Sequence, residues 1–265
     1  MATLPSIFLS HGAPLLAIEP HPITSFWRAW GLRIGRPKVI LVVSAHWEAP
    51  GLRITSALRP ATIHDFYGFP EPLYRLRYDA PGAPDWAARL SRHLAQNGFR
   101  VELEPERGWD HGVWMPLLHL YPTADIPVLA LSLPKGVGPP QLLALGQALQ
   151  ALRAEGVLII GSGGATHNLG ALGMTGPDDG PPPWALAFQD WLHEALVNRR
   201  LSDLWDYRKK APYAARNHPS EEHLLPLFVA LGAASEHAPV RREYAGFLYG
   251  SLGMDSYSFG ASGTS

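Results

Sequence analysis

The sequence predicts an α/β fold: a single domain on a central, mostly parallel but mixed sheet flanked by helices. Three observations carry this reading. Residues 38–45 are almost entirely apolar and rich in β-branched side chains, the pattern of a strand covered on both faces. Three shorter runs of the same kind, 6–10, 127–132 and 156–161, are bounded by Gly, Pro or polar residues. Stretches with helical spacing separate these runs, and that alternation defines the class.

In chain order, the first strand ends at Ser10, and His11 follows before Gly12, Ala13 and Pro14 turn the chain away. The second strand ends just before His46. Residues 47–84, rich in proline, read as a long loop. From Asp85, the side chains of Trp86, Leu90 and Leu94 recur at four-residue intervals and Gly98 supplies a stop, so a helix is expected there. Leu142, Leu145, Leu149 and Leu152 mark a second helix. A third is marked by Trp184, Phe188, Trp191 and Leu196 and closes on the cations Arg199 and Arg200. Residues 173–183 read as another loop. The run 224–231 is apolar nearly all round, which predicts a buried helix whose first turn holds Pro226, where a missing N–H costs least. Residues 6–258 form the expected core and 260–265 a loose tail.

The chain has 265 residues, 46% hydrophobic and 17% charged, and so suits a globular domain that buries roughly three quarters of its unfolded surface. Lys+Arg number 22 against 23 Asp+Glu, a net charge of -1 that offers no electrostatic hold on nucleic acid or an anionic membrane. The N-terminus lacks a basic region followed by a long apolar one, and no apolar run approaches membrane-spanning length, so a cytoplasmic location is expected. Whether the chain forms a homo-oligomer is left open. Cysteine is absent, which removes disulfides, zinc–thiolate sites and a thiol nucleophile. A metal would have to sit on His, Asp or Glu.

Twelve histidines therefore draw the eye. His11 and His46 stand just past the ends of strands, and His167 follows a third strand across Ser162, Gly163 and Gly164. In open α/β sheets ligands bind outside the carboxyl ends of the strands, so these three imidazoles can converge however far apart they lie in sequence. His223, with Glu222 beside it, opens the run 224–231. His111 lies in Trp109-Asp-His-Gly-Val-Trp114, a loop-like hexapeptide whose tryptophans suit a flat aromatic ligand; they equally suit the core at the head of a helix. His64 is a further candidate in the long loop. His21, His93, His119, His193, His218 and His237 lack such a context and read as surface or packing. Phosphate-binding loops, the dinucleotide fingerprint, the helix-borne zinc pair and the serine-hydrolase elbow lack their usual signatures.

Six motifs, in order, resemble the class III extradiol ring-cleavage dioxygenases, in particular their 4,5-DOPA dioxygenase branch: Leu9-Ser-His-Gly-Ala-Pro14, Val43-Ser-Ala-His-Trp47, Thr62-Ile-His-Asp-Phe66, Trp109-Asp-His-Gly-Val-Trp114, Thr166-His-Asn-Leu169 and Glu222-His-Leu-Leu-Pro226. The resemblance runs from residue 6 to about residue 258. It implies a non-haem metal, normally Fe(II), held by His11, His46 and His223, with His167 as catalytic acid/base. His111 would be the histidine that positions or polarises a catechol, in a pocket to which Trp109, Trp114 and His64 contribute. The reaction implied is opening of the catechol ring by O2, with both oxygen atoms incorporated.

Better-known members of that class use a glutamate as third ligand, whereas the matched position here is His223 with Glu222 adjacent; periodicity does not decide between the two. Two imidazoles and a carboxylate leave a divalent ion one net positive charge, while three neutral imidazoles leave two. Such a set also suits Zn(II), which exceeds Fe(II) in the usual affinity order, so purified protein is expected to carry zinc readily. A zinc hydrolase of an amide or ester could use the same equipment, and a non-enzymatic metal-binding interaction protein could share the scaffold.

Overall fold

The computed structural model describes residues 3–173 and 180–260. Most of the expected tail and the middle of the loop expected at 173–183 lie outside these residues.

Among the described residues ten strands form: β1 (Ser6–Ser10), β2 (Val39–Ala49), β3 (Leu52–Thr55), β4 (Val101–Glu104), β5 (Val128–Pro134), β6 (Val157–Gly163), β7 (Val240–Tyr244), β8 (Phe247–Leu248), β9 (Leu252–Gly253) and β10 (Ser256–Phe259). All but the β8–β9 hairpin belong to one sheet in the order β4-β3-β5-β2-β6-β1-β10-β7. The four central strands, β5, β2, β6 and β1, are mutually parallel. Antiparallel pairing of β3 to β5 and of β10 to β1 and β7 makes the sheet mixed. The expected α/β single-domain architecture is therefore what the chain adopts.

The central strands are buried on both faces because alternate side chains enter two separate cores. Phe8, Leu41, Val43 and Ile159 face one layer, made by Leu90 and Leu94 of α3 (Pro84–Gln96), Leu142 and Leu145 of α5 (Pro139–Leu149), Phe188 and Leu192 of α6 (Pro183–Val197) and Phe228 of α10 (Pro226–Gly232). Ile7, Leu9, Val42 and Ile160 face the other, which holds Trp27 and Trp30 of α1 (Pro22–Ile34) and Trp114 and Leu117 of α4 (His111–Leu120). Short helical turns complete the chain: α2 (Glu71–Tyr74), α7 (Leu201–Trp205), α8 (Tyr207–Lys210) and α9 (Ala214–Asn217). Among the described residues no helix is long and apolar enough to cross a membrane.

Two local expectations change. β2 does not stop before His46 but runs to Ala49, and pairing with β5 jumps from Val43↔Leu131 to Glu48↔Leu133. Residues 44–47 therefore bulge opposite Ser132, which swings His46 out of the regular ladder. The stretch 47–84 is not a continuous loop, since β3 and α2 lie within it. Leu52 and Ile54 are the alternate buried positions that make β3 a strand, a signal too short to stand out among the prolines.

The exit of β6 is built for close approach. A Cβ on Gly161 would lie 2.3 Å from the carbonyl oxygen of Pro226, and one on Gly163 would lie 2.0 Å from that of His223. Only glycine lets the turn carrying His223 press onto the strand end, where Gly164 N–H donates to His223 O at 2.8 Å. Gly163→Ala should therefore destabilise the protein by about 1–3 kcal/mol through overpacking. Gly51→Ala, at a position with open space around it, should change stability by less than about 0.5 kcal/mol. Chemical denaturation of the two variants compares them directly.

Candidate metal centre

Because β6 lies between β1 and β2 and all three run parallel, their carboxyl ends open at one edge of the sheet. His11 follows β1 and its backbone N–H donates to Gly163 O at 2.9 Å, His46 projects from the bulge of β2, and His223 arrives from the turn before α10. One nitrogen from each ring lies within 4.8 Å of the others. The Nε2 atoms of His11 and His46 are 3.0 Å apart, and the His223 ring centre is 5.4 Å from that of His11 and 4.9 Å from that of His46.

The outer nitrogens show which lone pairs face inward. His11 Nδ1 lies 3.0 Å from Ser162 Oγ, whose own proton is given to Gly112 O, so the hydroxyl accepts and His11 Nδ1 carries the hydrogen. Gly112 O is available because Pro116, four residues on within α4, has no N–H to offer it. His223 Nδ1 donates to Glu222 Oε1 at 2.9 Å, and His223 Nε2 is buried without a hydrogen-bond partner. Glu222 thus engages the far side of the His223 ring. The bare Nε2 of His11, 3.0 Å from Nε2 of His46, and the orphaned Nε2 of His223 would all be satisfied by one cation among them. The donor set fits a divalent metal, with the carboxylate-to-imidazole support that metal-bound histidines usually receive.

His111 and His167 flank this trio. His111 opens α4, its ring centre 4.0 Å from that of His46, and its backbone N–H and Nδ1 both donate to Asp65 Oδ1, at 2.8 and 3.0 Å. Asp65 Oδ2 reaches 3.7 Å from His46 Nδ1. The His167 ring stacks on His223 with centres 3.3 Å apart, and its backbone N–H is fixed by Asn217 O at 2.8 Å. Beneath His46, the buried Asp110 accepts from Ser44 Oγ at 2.6 Å and from Arg107 at 3.1 Å, and the same guanidinium donates to His46 O at 3.2 Å.

Four of the crowded imidazoles, His11, His46, His167 and His223, are pushed toward their neutral forms. Burial, then the neighbouring imidazoles, pushes His46 down to about 2, and His11 is held well below its ordinary value for the same reasons. Burial likewise takes His167 down to about 3, and His223 is lowered despite Glu222. Burial alone would raise Asp65, but its bonds to His111 outweigh that and hold it at about 2. The hydrogen bond from His223 is the main cause that brings Glu222 to about 2. Around neutrality His11, His46, His167 and His223 are neutral rings, and Asp65 and Glu222 are ionised beside them.

His11, His46, His111, His167, His223 and Glu222 are brought together as the sequence suggests. The aromatic walls are not. Trp109 and Trp114 have no accessible surface; Trp114 Nε1 donates to Ile63 O at 2.9 Å, and both rings pack behind the site because α4 begins at His111 rather than after the hexapeptide. His64 is half-buried and tied through Nε2 to Leu76 O at 3.1 Å, so its ring belongs to an aromatic cluster with Phe66, Tyr74 and Trp114. Phe66, whose ring centre is 5.7 Å from that of His111, is the aromatic residue set against the cluster, and Asp65 and Ser162 are the polar residues missed. Adjacency to His64 was the one sequence signal for Asp65.

A histidine cluster able to hold a metal ion, at the strand ends of a mixed α/β sheet, fits a metal-dependent enzyme, and comparison with known proteins says of which family. Residues 5–259 match the family described as the catalytic LigB subunit of aromatic ring-opening dioxygenase. The chain is 43% identical over 258 residues to 4,5-DOPA dioxygenase extradiol of Beta vulgaris, with 96% of each chain covered, and 37% identical to the protein of that name in Escherichia coli K12, with 97% and 95% covered. A crystal structure of an uncharacterized Escherichia coli K12 protein superposes with a TM-score of 0.83 at 34% identity, covering 97% of this chain and 100% of that one. The chain belongs to the LigB family and is a class III extradiol ring-opening dioxygenase. That membership decides against the hydrolase and interaction-protein alternatives.

Because the folded cluster is already neutral, protons should compete weakly for it. Zn(II) affinity, measured by chelator competition, should stay nearly flat as pH falls from 8 to 6. Ligands with ordinary histidine pKa values of about 6.5 would instead lose affinity steeply across that range.

Proposed function

We propose that the chain opens the aromatic ring of a DOPA-like catechol with O2, using a divalent metal held by His11, His46 and His223. The orphaned Nε2 of His223, in a ring whose other nitrogen is committed to Glu222, is the observation that carries the ligand assignment. The relatives named above act on DOPA by name, and this supports the substrate class. When bound, the metal would supply Lewis acidity and an electron path between the diol and O2. Fe(II) is the ion proposed for turnover, and Zn(II) is a competitor that three neutral imidazoles also suit.

The remaining residues manage orientation and protons. His167 rests neutral, with one lone pair and one N–H, so it can take a proton from a diol hydroxyl and return one as the O–O bond breaks. A catecholate arriving in the cavity raises the proton affinity of His167 by placing negative charge beside it. His111, fixed by Asp65, presents its second nitrogen from the opposite flank to position or polarise the catechol. Phe66 offers an aromatic edge beside His111. Asp110, Arg107 and Ser44 hold the bulge of β2 from beneath, so that His46 does not shift when ligands enter.

Anaerobic loading with Fe(II), followed by a catechol panel and O2, should yield the yellow semialdehyde with equal consumption of oxygen and catechol. Oxygen uptake without loss of catechol would contradict the reading. His167→Ala should keep its metal stoichiometry while kcat falls about 10²–10⁴-fold, the usual range for a lost proton-transfer group. His11→Ala and His46→Ala should lose the metal. Full occupancy in either variant, measured by elemental analysis, would overturn the ligand set.

A further inference from the structure

Asp65 occupies a position that neither a loop carboxylate nor a helix cap requires. Its Oδ1 accepts two hydrogen bonds from one residue, the backbone N–H and the Nδ1–H of His111, while Oδ2 stands 3.7 Å from Nδ1 of His46. The loop that bears it is anchored on both sides. Ile63 N–H donates to Trp109 O and Trp109 N–H to Ala61 O, each at 2.7 Å, and Trp114 Nε1 holds Ile63 O. Beyond Asp65, Phe66 packs on Phe69 and Tyr74 with ring centres 5.4 Å away in each case. Gly108 is needed for this docking, because a Cβ there would lie 2.0 Å from Ala61 O. A carboxylate held this firmly does more than neutralise the start of α4.

We propose that Asp65 is a positioning residue for ring opening: by taking the Nδ1 hydrogen of His111 it fixes one tautomer, leaving Nε2 of that ring as an acceptor toward the catechol. The inference rests on the proposed place of His111 beside the diol. A neutral imidazole carries its single hydrogen on either nitrogen, and the partner of one nitrogen decides which. With Nδ1–H committed to Asp65, Nε2 is bare and can accept from a hydroxyl. With the opposite tautomer it would present a hydrogen where the substrate presents one as well. The second oxygen of Asp65 stands 3.7 Å from Nδ1 of His46, beyond hydrogen-bond reach, so the directional hold of the carboxylate is on His111.

The bland alternative is that Asp65 only caps α4, since a carboxylate accepting the first N–H of a helix stabilises it by about 0.3–1 kcal/mol. Asp65→Asn separates the two. The amide oxygen can still accept the His111 backbone N–H and preserve the cap, but it faces Nδ1 as a neutral acceptor, so the charge that favours a hydrogen on Nδ1 over one on Nε2 is gone.

The tautomer is read in metal-free protein labelled with 15N-histidine, by two-bond proton–nitrogen correlation at pH 7.5, with the His111 signal assigned by its loss in His111→Gln. The wild type should show Nδ1–H at His111, and Asp65→Asn should show the Nε2–H form or a mixture. In Fe(II)-loaded protein, Asp65→Asn should lower kcat about 10- to 100-fold, with KM within about threefold and Zn(II) affinity unchanged. Asp65→Glu should recover part of kcat. An Nε2–H tautomer in the wild type, or unchanged kcat in Asp65→Asn, would overturn the proposal. So would a loss of metal affinity matching the loss of kcat, which would mean that Asp65 acts through His46. The nitrogen spectra do not depend on turnover, so absence of ring cleavage in the wild type would reject the function while leaving the tautomer assignment to stand or fall separately.

Discussion

The centre depends on one constraint: an imidazole has two nitrogens, and the protein commits the outer one so that the inner one is left bare. Ser162 does this for His11, Glu222 for His223 and Asp65 for His111. Each commitment costs a buried or half-buried polar group that must itself be satisfied, which is why the hydroxyl of Ser162 passes its proton to Gly112 O and why Asp65 also takes a backbone N–H. The sheet supplies only the address, three parallel strand ends side by side. The chemistry lies in the tautomers.

The electrostatic balance follows from the same arrangement. Three neutral imidazoles leave a divalent ion with both its positive charges, where a carboxylate ligand would cancel one. Here two ionised carboxylates, Asp65 and Glu222, sit one imidazole away from the centre. They would offset an ion held by the proposed His11, His46 and His223 set through the rings rather than by binding it directly.

Much of this was legible in the chain, for physical reasons that also explain what was not. The doubly buried strands are continuous apolar runs, and the histidines just past them lie where an open sheet exposes its edge; both signals are local. The bulge that swings His46 outward is not local, because it consists of a mismatch with β5 that only pairing reveals. Asp65 carries no such local signal, since its partner is 46 residues away and nothing in the stretch 62–66 says whether it or its neighbour His64 turns inward. Trp109 and Trp114 looked like a ligand's walls by composition, but the helix that starts between them carries both into the core. Residue type indicated the kind of chemistry, and burial decided which residues perform it.

Pro116 shows how an apparent defect can be a fixture. In the interior of an ordinary helix a proline is an obvious target for improvement, and a designer seeking a more heat-resistant protein would restore the missing rung. Here the gap in α4 exports a carbonyl sideways, and through Ser162 that carbonyl sets the handedness of a proton on His11. Thermostabilised versions of this enzyme should therefore be sought away from this buried proline, because mending that helix would trade resilience for a wandering hydrogen at the heart of the molecule.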